Sequence, residues 1–101
     1  MTTYKLYPKA ESDLEIIWQY TVHQWGLNRA HSYIDDLEST FQLLAASPHL
    51  SREHTEFNPP VRIHPHAHHL IIYLQKDYGI DVVRILHENM DIPARIDNLT
   101  E

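Results

Sequence analysis

Ile80-Asp81-Val82-Val83-Arg84-Ile85-Leu86-His87, running into Glu88-Asn89-Met90-Asp91, is the stretch on which the fold turns. Ile80, Val82, Val83, Ile85 and Leu86 are apolar strand formers, and a run this dense suits a pleated, buried setting. Simple alternation puts Ile80, Val82, Arg84 and Leu86 on one face and Asp81, Val83, Ile85 and His87 on the other. Both faces are mostly apolar, as expected of a central strand covered on two sides. Arg84 and His87 then fall on opposite faces unless a bulge intervenes, and a site using both has to be built at the strand's end.

Working outward, Val61-Arg62-Ile63-His64 and His68-His69-Leu70-Ile71-Ile72-Tyr73-Leu74-Gln75 read as two further strands. Pro65-His66-Ala67 is the expected turn between them, and Asp77-Tyr78-Gly79 the hairpin turn into the last strand. The three strands form an antiparallel meander. Ahead of them, His49 to Pro60 is polar and reads as a long loop.

The chain opens with a strand, Thr3-Tyr4-Lys5-Leu6-Tyr7, and Pro8 suits the first turn of a helix. From Lys9 to Trp25, residues Ala10, Leu14, Ile17, Val22 and Trp25 recur near helical spacing, and Gly26 is a natural stop. A second helix is expected from Arg29 to Ala46 with Asn28 as its cap, striped by Ala30, Tyr33, Ile34, Leu37, Phe41, Leu44 and Ala45. So short a connection makes the two helices an antiparallel hairpin lying on the sheet. Trp18 and Tyr20 stand off the stripe, where they are free to meet a partner. After Asp91, a short helix with Pro93 in its first turn would carry Ile92, Ile96 and Leu99 on one face. The expectation is one α+β domain over residues 1–101, an N-terminal helical hairpin on an antiparallel sheet, in the order β-α-α-β-β-β-α.

Composition narrows the function. The net charge is −6, with eight Lys and Arg against fourteen Asp and Glu. Sequence-independent nucleic-acid binding draws its affinity from cations that release counterions, so direct DNA binding is not expected, and a protein partner is. There is no cysteine, which rules out disulfides and thiolate metal sites and fits a reducing cytoplasm. No leader pattern or 18-residue apolar run points to export or a membrane.

Nine histidines, above all His64-Pro65-His66-Ala67-His68-His69, invite a metal site. Pro65 is expected to break the strand and no carboxylate lies within the cluster, so it reads as a polar turn, and no metal or cofactor is assigned. Arg84, flanked by apolar residues, needs a carboxylate such as Asp13 or Asp91. His87 either closes the strand or lines a groove that faces a target.

In order and length the chain resembles the ParE toxins of the RelE/ParE superfamily. The resemblance rests on Pro8-Lys9-Ala10-Glu11-Ser12-Asp13-Leu14, on Tyr33, Leu37 and Ser47-Pro48, on His69-Leu70-Ile71-Ile72-Tyr73-Leu74, and on Val83-Arg84-Ile85-Leu86-His87 before Met90-Asp91. It implies a type II toxin that poisons DNA gyrase by trapping its cleaved complex with DNA and is neutralised by a ParD-like antitoxin. Arg62, Arg84, His87, Met90 and Ile96 are then the expected target-binding residues, and Trp18, Tyr20, Tyr33 and Leu37 the expected antitoxin-binding ones. The alternative within the superfamily is a RelE-type endoribonuclease cleaving mRNA on the ribosome, for which Glu56, Arg62, His64, Arg84 and His87 would be the candidates. The acidic balance favours the gyrase poison, which needs a surface and no catalytic residues.

Overall fold

The computed structural model describes residues 2–96. Strand β1 (Thr3–Leu6) leads through Tyr7 into helix α1 (Pro8–Trp25), and Gly26 alone joins it to helix α2 (Leu27–Ala46). A 3-10 turn (Pro48–Leu50) follows, then β2 (Glu53–His54), β3 (Val61–His66), β4 (His69–Lys76), β5 (Gly79–His87) and a one-turn helix α3 (Ile92–Arg95). Leu99 lies outside the described residues.

Gly26 closes α1 by donating its N–H to the Val22 carbonyl at 2.9 Å, at a φ of 91° that only glycine adopts readily. Its carbonyl accepts from Ala30 at 3.1 Å, so one residue ends the first helix and starts the second. Asn28, the expected cap, is already inside α2.

The five strands are ordered β1-β5-β4-β3-β2. The meander β3-β4-β5 is antiparallel as expected, but β1 runs parallel to β5, so the sheet is mixed. Strand periodicity is the same in either direction, and only the path through both helices and the following loop decides it. The Thr3↔Gly79 pairing is so close that a Cβ on Gly79 would collide with the Thr3 carbonyl. Within the expected loop, Glu53 and His54 form β2 against Arg62 and Val61. Nor does Pro65 break β3, because it lies beyond the reach of β2 on what is there an edge strand, the setting in which a sheet accepts proline.

The register of β5 slips opposite Ile72 and Tyr73, which pair with Arg84 and Val82 and leave Val83 as the extra residue. Val82 and Ile85 therefore join the same buried cluster under the helices, with Ile80, Ile71, Tyr73, Leu37, Phe41 and Leu44. Val83 and Leu86 belong to a second cluster on the outer face, with Tyr7, Val61, Ile72 and Ile96. The uninterrupted alternation expected for Ile80 to His87 is thus corrected at Val83. Phe57 from the long loop and Ile92 from α3 pack against the outer cluster, which is why both faces of β5 are apolar.

Candidate functional site

The buried face of α1 keeps Ala10 and Ile17 of the expected stripe, with Leu14 packed beside them, but takes in two polar residues and leaves out Trp25. It is Ala10, Asp13, Ile17 and Thr21, while Trp25 is 66% exposed. Thr21 settles its hydroxyl on the Ile17 carbonyl at 2.6 Å. Asp13 is satisfied across the fold: it accepts from Arg84 Nε at 2.7 Å, Arg84 Nη2 at 2.9 Å and the Ile85 backbone N–H at 3.0 Å. This is possible because β1 covers β5 only as far as Val82, leaving the edge beyond it open to α1. The hydrogen bond to Asp13 holds the Arg84 guanidinium above its ordinary pKa, so its charge is permanent.

Between α1, the N-terminal half of α2 and the ends of β4 and β5 lies an open cleft of about 780 Å³. Its α1 wall is Ile16, Ile17, Tyr20 and Trp25, with Asp13 and Thr21 below. Arg29 and Tyr33 come from α2, Ala67, His68 and His69 from the β3–β4 turn, and Ile85, His87 and Met90 from the end of β5 and beyond. Ile16, Tyr20, Trp25 and Met90 are all exposed, making one wall and the rim an apolar surface open to solvent.

The far end of the cleft is a cluster of imidazoles. His69 pairs with His87 across the ladder, and their ring centroids are 5.6 Å apart. His68 stacks on His87 at 6.4 Å and its Nδ1 lies 2.6 Å from a Glu88 carboxylate oxygen. The Tyr33 hydroxyl lies 2.7 Å from His69 Nδ1, and the Tyr33 ring packs edge-on against His66. Burial, followed by repulsion from His87, His66 and His68, lowers the His69 pKa. No group of three or more His, Cys, Asp or Glu among the described residues is arranged to hold a metal ion.

Of the expected target-binding residues, His87 and Met90 line the cleft. Arg84 is committed to Asp13 and donates a further bond to the Arg95 carbonyl at 3.1 Å. Arg62 lies away from the cleft and donates to the Ser51 carbonyl at 2.7 Å. Ile96 is only 3% exposed, because it closes the outer cluster, so its expected role as a contact surface is corrected to core. Among the expected antitoxin-binding residues, Tyr20 and Tyr33 line the cleft. Trp18 packs edge-on against His31 of α2, with centroids 4.8 Å apart. Leu37 is wholly buried against the sheet, so it is core and not a partner contact.

Sequence reasoning overlooked Ile16, Trp25 and Arg29 as lining residues. The available signal was the i, i+4, i+8 spacing of Asp13, Ile17 and Thr21, which defines the buried face and turns Ile16 and Tyr20 outward. Of the residues that a nuclease would need, Arg62 and His64 meet at Ser51, while Arg84, Glu56 and His87 lie elsewhere. Arg84 is bound to Asp13, His64 Nδ1 lies 2.8 Å from the Ser51 hydroxyl, and Glu56 is paired with His54 in the loop.

The family model described as "ParE toxin of type II toxin-antitoxin system, parDE" matches residues 4–92. The chain belongs to the ParE toxin family. It is 37% identical over 94 residues to Toxin ParE1 of Mycobacterium tuberculosis, covering 92% of this chain and 96% of that one. It is 36% identical over 97 residues to Toxin ParE of Escherichia coli, covering 95% and 94%. A solved structure titled as the chromosomal ParDE TA system from P. aeruginosa superposes with a TM-score of 0.72 at 21% identity, over 86% of this chain and 96% of that chain, and so shares the fold. As a ParE-family member the chain is a toxin of a type II toxin–antitoxin system, and among the described residues no helix is long and apolar enough to cross a membrane.

Proposed function

We propose that this ParE-family toxin acts in the bacterial cytoplasm by binding DNA gyrase and trapping its cleaved complex with DNA, and that a ParD-like antitoxin neutralises it by seating an amphipathic segment in the cleft. The observation that carries the antitoxin site is the exposed apolar wall of Ile16, Tyr20 and Trp25 facing Met90 across an open groove. Such a groove suits an amphipathic helix, whose residues one turn apart would meet residues one turn apart on α1. Trp25 and Tyr20, large and exposed, are the anchors around which binding energy concentrates.

For the target, the internal commitments of Arg62 and Arg84 support a surface poison over a ribonuclease. Phosphodiester cleavage requires cations free to meet a phosphate and an acid and base within reach of the same bond. His87 and Met90 remain at the surface available to the target, and the toxin contributes no catalytic residue, metal or cofactor.

Plasmid supercoiling by purified gyrase, run with and without the toxin on gels that resolve cleaved DNA, tests the reading. Protein-linked linear DNA with loss of supercoiling is the expected result. Unimpaired supercoiling, by toxin shown to be folded by circular dichroism, would overturn it, and mRNA cleavage on translating ribosomes would then establish the nuclease.

A further inference from the structure

The imidazole end of the cleft differs from the rest of this acidic protein. Arg29 stands one helical turn before Tyr33 on α2, its guanidinium carbon 5.7 Å from the centroid of the Trp25 ring. Among the described residues it has no carboxylate partner. The first turn of α2, a helix of 20 residues, holds no acid, so the positive end of its dipole is also uncompensated.

The charged and titratable groups around His69 can be taken element by element. From α1 comes Asp13, whose two oxygens are occupied by Arg84 and the Ile85 N–H. From α2 come Arg29, Tyr33 and Asp36, the last acting on Tyr33. From β3 comes His66, from the turn His68, and from the end of β5 His87 and Glu88, with Glu88 held by His68. Three carboxylates are thus near, but Asp13 is taken up by Arg84 and Glu88 by His68, and the Arg29 guanidinium is paired with none of them. Protonation of His69 is also structurally tolerated. Nδ1–H can donate to the Tyr33 hydroxyl, which then turns its own hydrogen toward the His66 carbonyl, 3.5 Å away.

We propose that Arg29, His69 and His87 form a carboxylate-binding subsite at the end of the cleft, and that an acidic side chain of the antitoxin segment docks there with uptake of a proton at His69. The inference rests on the antitoxin reading of the cleft and adds the chemistry of the bound segment: apolar residues over Ile16, Tyr20 and Trp25, and an Asp or Glu at the Arg29 end. Without a bound anion, burial first and repulsion from His87, His66 and His68 next favour the neutral form of the His69 ring. A carboxylate placed against that ring favours its charged form, so binding and protonation reinforce each other. In a chain of net charge −6, this cluster directs an acidic partner to one end of one groove.

The test is isothermal titration calorimetry of the intact toxin with its ParD-like antitoxin, at pH 6.0, 7.0 and 8.0, each in two buffers of different ionisation enthalpy. Net proton uptake is expected, with Kd falling by up to about tenfold per pH unit for each proton taken up. His69→Asn should flatten that dependence. His87→Gln, which removes a ring that disfavours protonated His69 in the free toxin, should lessen the uptake as well and serves should His69→Asn fail to fold. Arg29→Gln should weaken binding at every pH. A Kd independent of pH, or proton release on binding, would overturn the subsite while leaving the cleft as an apolar antitoxin groove. Absence of binding at all three pH values would overturn the antitoxin reading and the subsite with it.

Discussion

Asp13 on α1 grips Arg84 on β5 through two parallel hydrogen bonds, 2.7 Å from Nε and 2.9 Å from Nη2, across 71 positions of sequence. The same guanidinium donates from Nη1 to the Arg95 carbonyl of α3. Arg84 therefore reaches around the uncovered edge of β5 and connects the helical layer on one face of the sheet to the C-terminal turn on the other. The pair sits at the root of the cleft, so the α1 wall is held in place by a charge-assisted, bidentate contact.

Asp13→Ala is expected to cost about 3 kcal/mol, because it strands a largely buried guanidinium and the Ile85 N–H together. Arg84→Met leaves a carboxylate that still accepts from Ile85 and should cost less. Urea unfolding of both single variants and the double variant gives the coupling, and a value near zero would show that the two residues do not act as a pair.

Gly79→Ala should detach β1. The new methyl group would meet the Thr3 carbonyl, and the φ of 143° is one that side-chain-bearing residues rarely adopt. A loss of roughly 2 kcal/mol or more is expected, and hydrogen exchange should speed up at the Thr3 and Tyr7 amides, which donate to the Tyr78 and Val82 carbonyls, more than in α1 or β4. Unchanged exchange in β1 would count against the parallel pairing.

Leu37 and Tyr20 separate core from surface. Leu37→Ala empties a fully buried position and should destabilise by about 2–5 kcal/mol. Tyr20→Ala, at a side chain 63% exposed, should change stability by no more than about 0.5 kcal/mol while weakening antitoxin binding by roughly tenfold or more. Thermal melting and titration calorimetry on the same two variants decide both points.

Acid should destabilise the free toxin through His64 and His69. Burial lowers the pKa of each, with His66 adding to both and His87 and His68 to His69. The native state then binds fewer protons than the unfolded chain, whose histidines titrate near ~6.5, so stability rises with pH across the interval between the folded and unfolded values. The contribution is complete above that interval and is lost as pH falls through it. Melting temperature should drop as pH falls below about 6.5, and less so in His69→Asn. An equal acid response in both proteins would assign the effect to other groups.

The number and kind of the main elements were legible in the sequence because they follow from local periodicity. The apolar runs of β4 and β5, the stripe of α2 and the glycine between the helices each carry their signal within a few residues. The family resemblance was legible for the same reason, since it rests on short runs such as Val83-Arg84-Ile85-Leu86-His87. Only the tertiary structure decided the direction of β1, the strand hidden in the loop, and the slip at Val83 that moves Ile85 and Leu86 to the faces opposite those expected. It also decided that Leu37 serves the core alone, that Ile96 is core and Trp25 surface, and that His66 and His69 gather around Tyr33 with His87 against His69. These depend on which surfaces meet after the chain has closed on itself, and hydrophobicity at a single position is the same whether that residue faces a sheet, a partner or water.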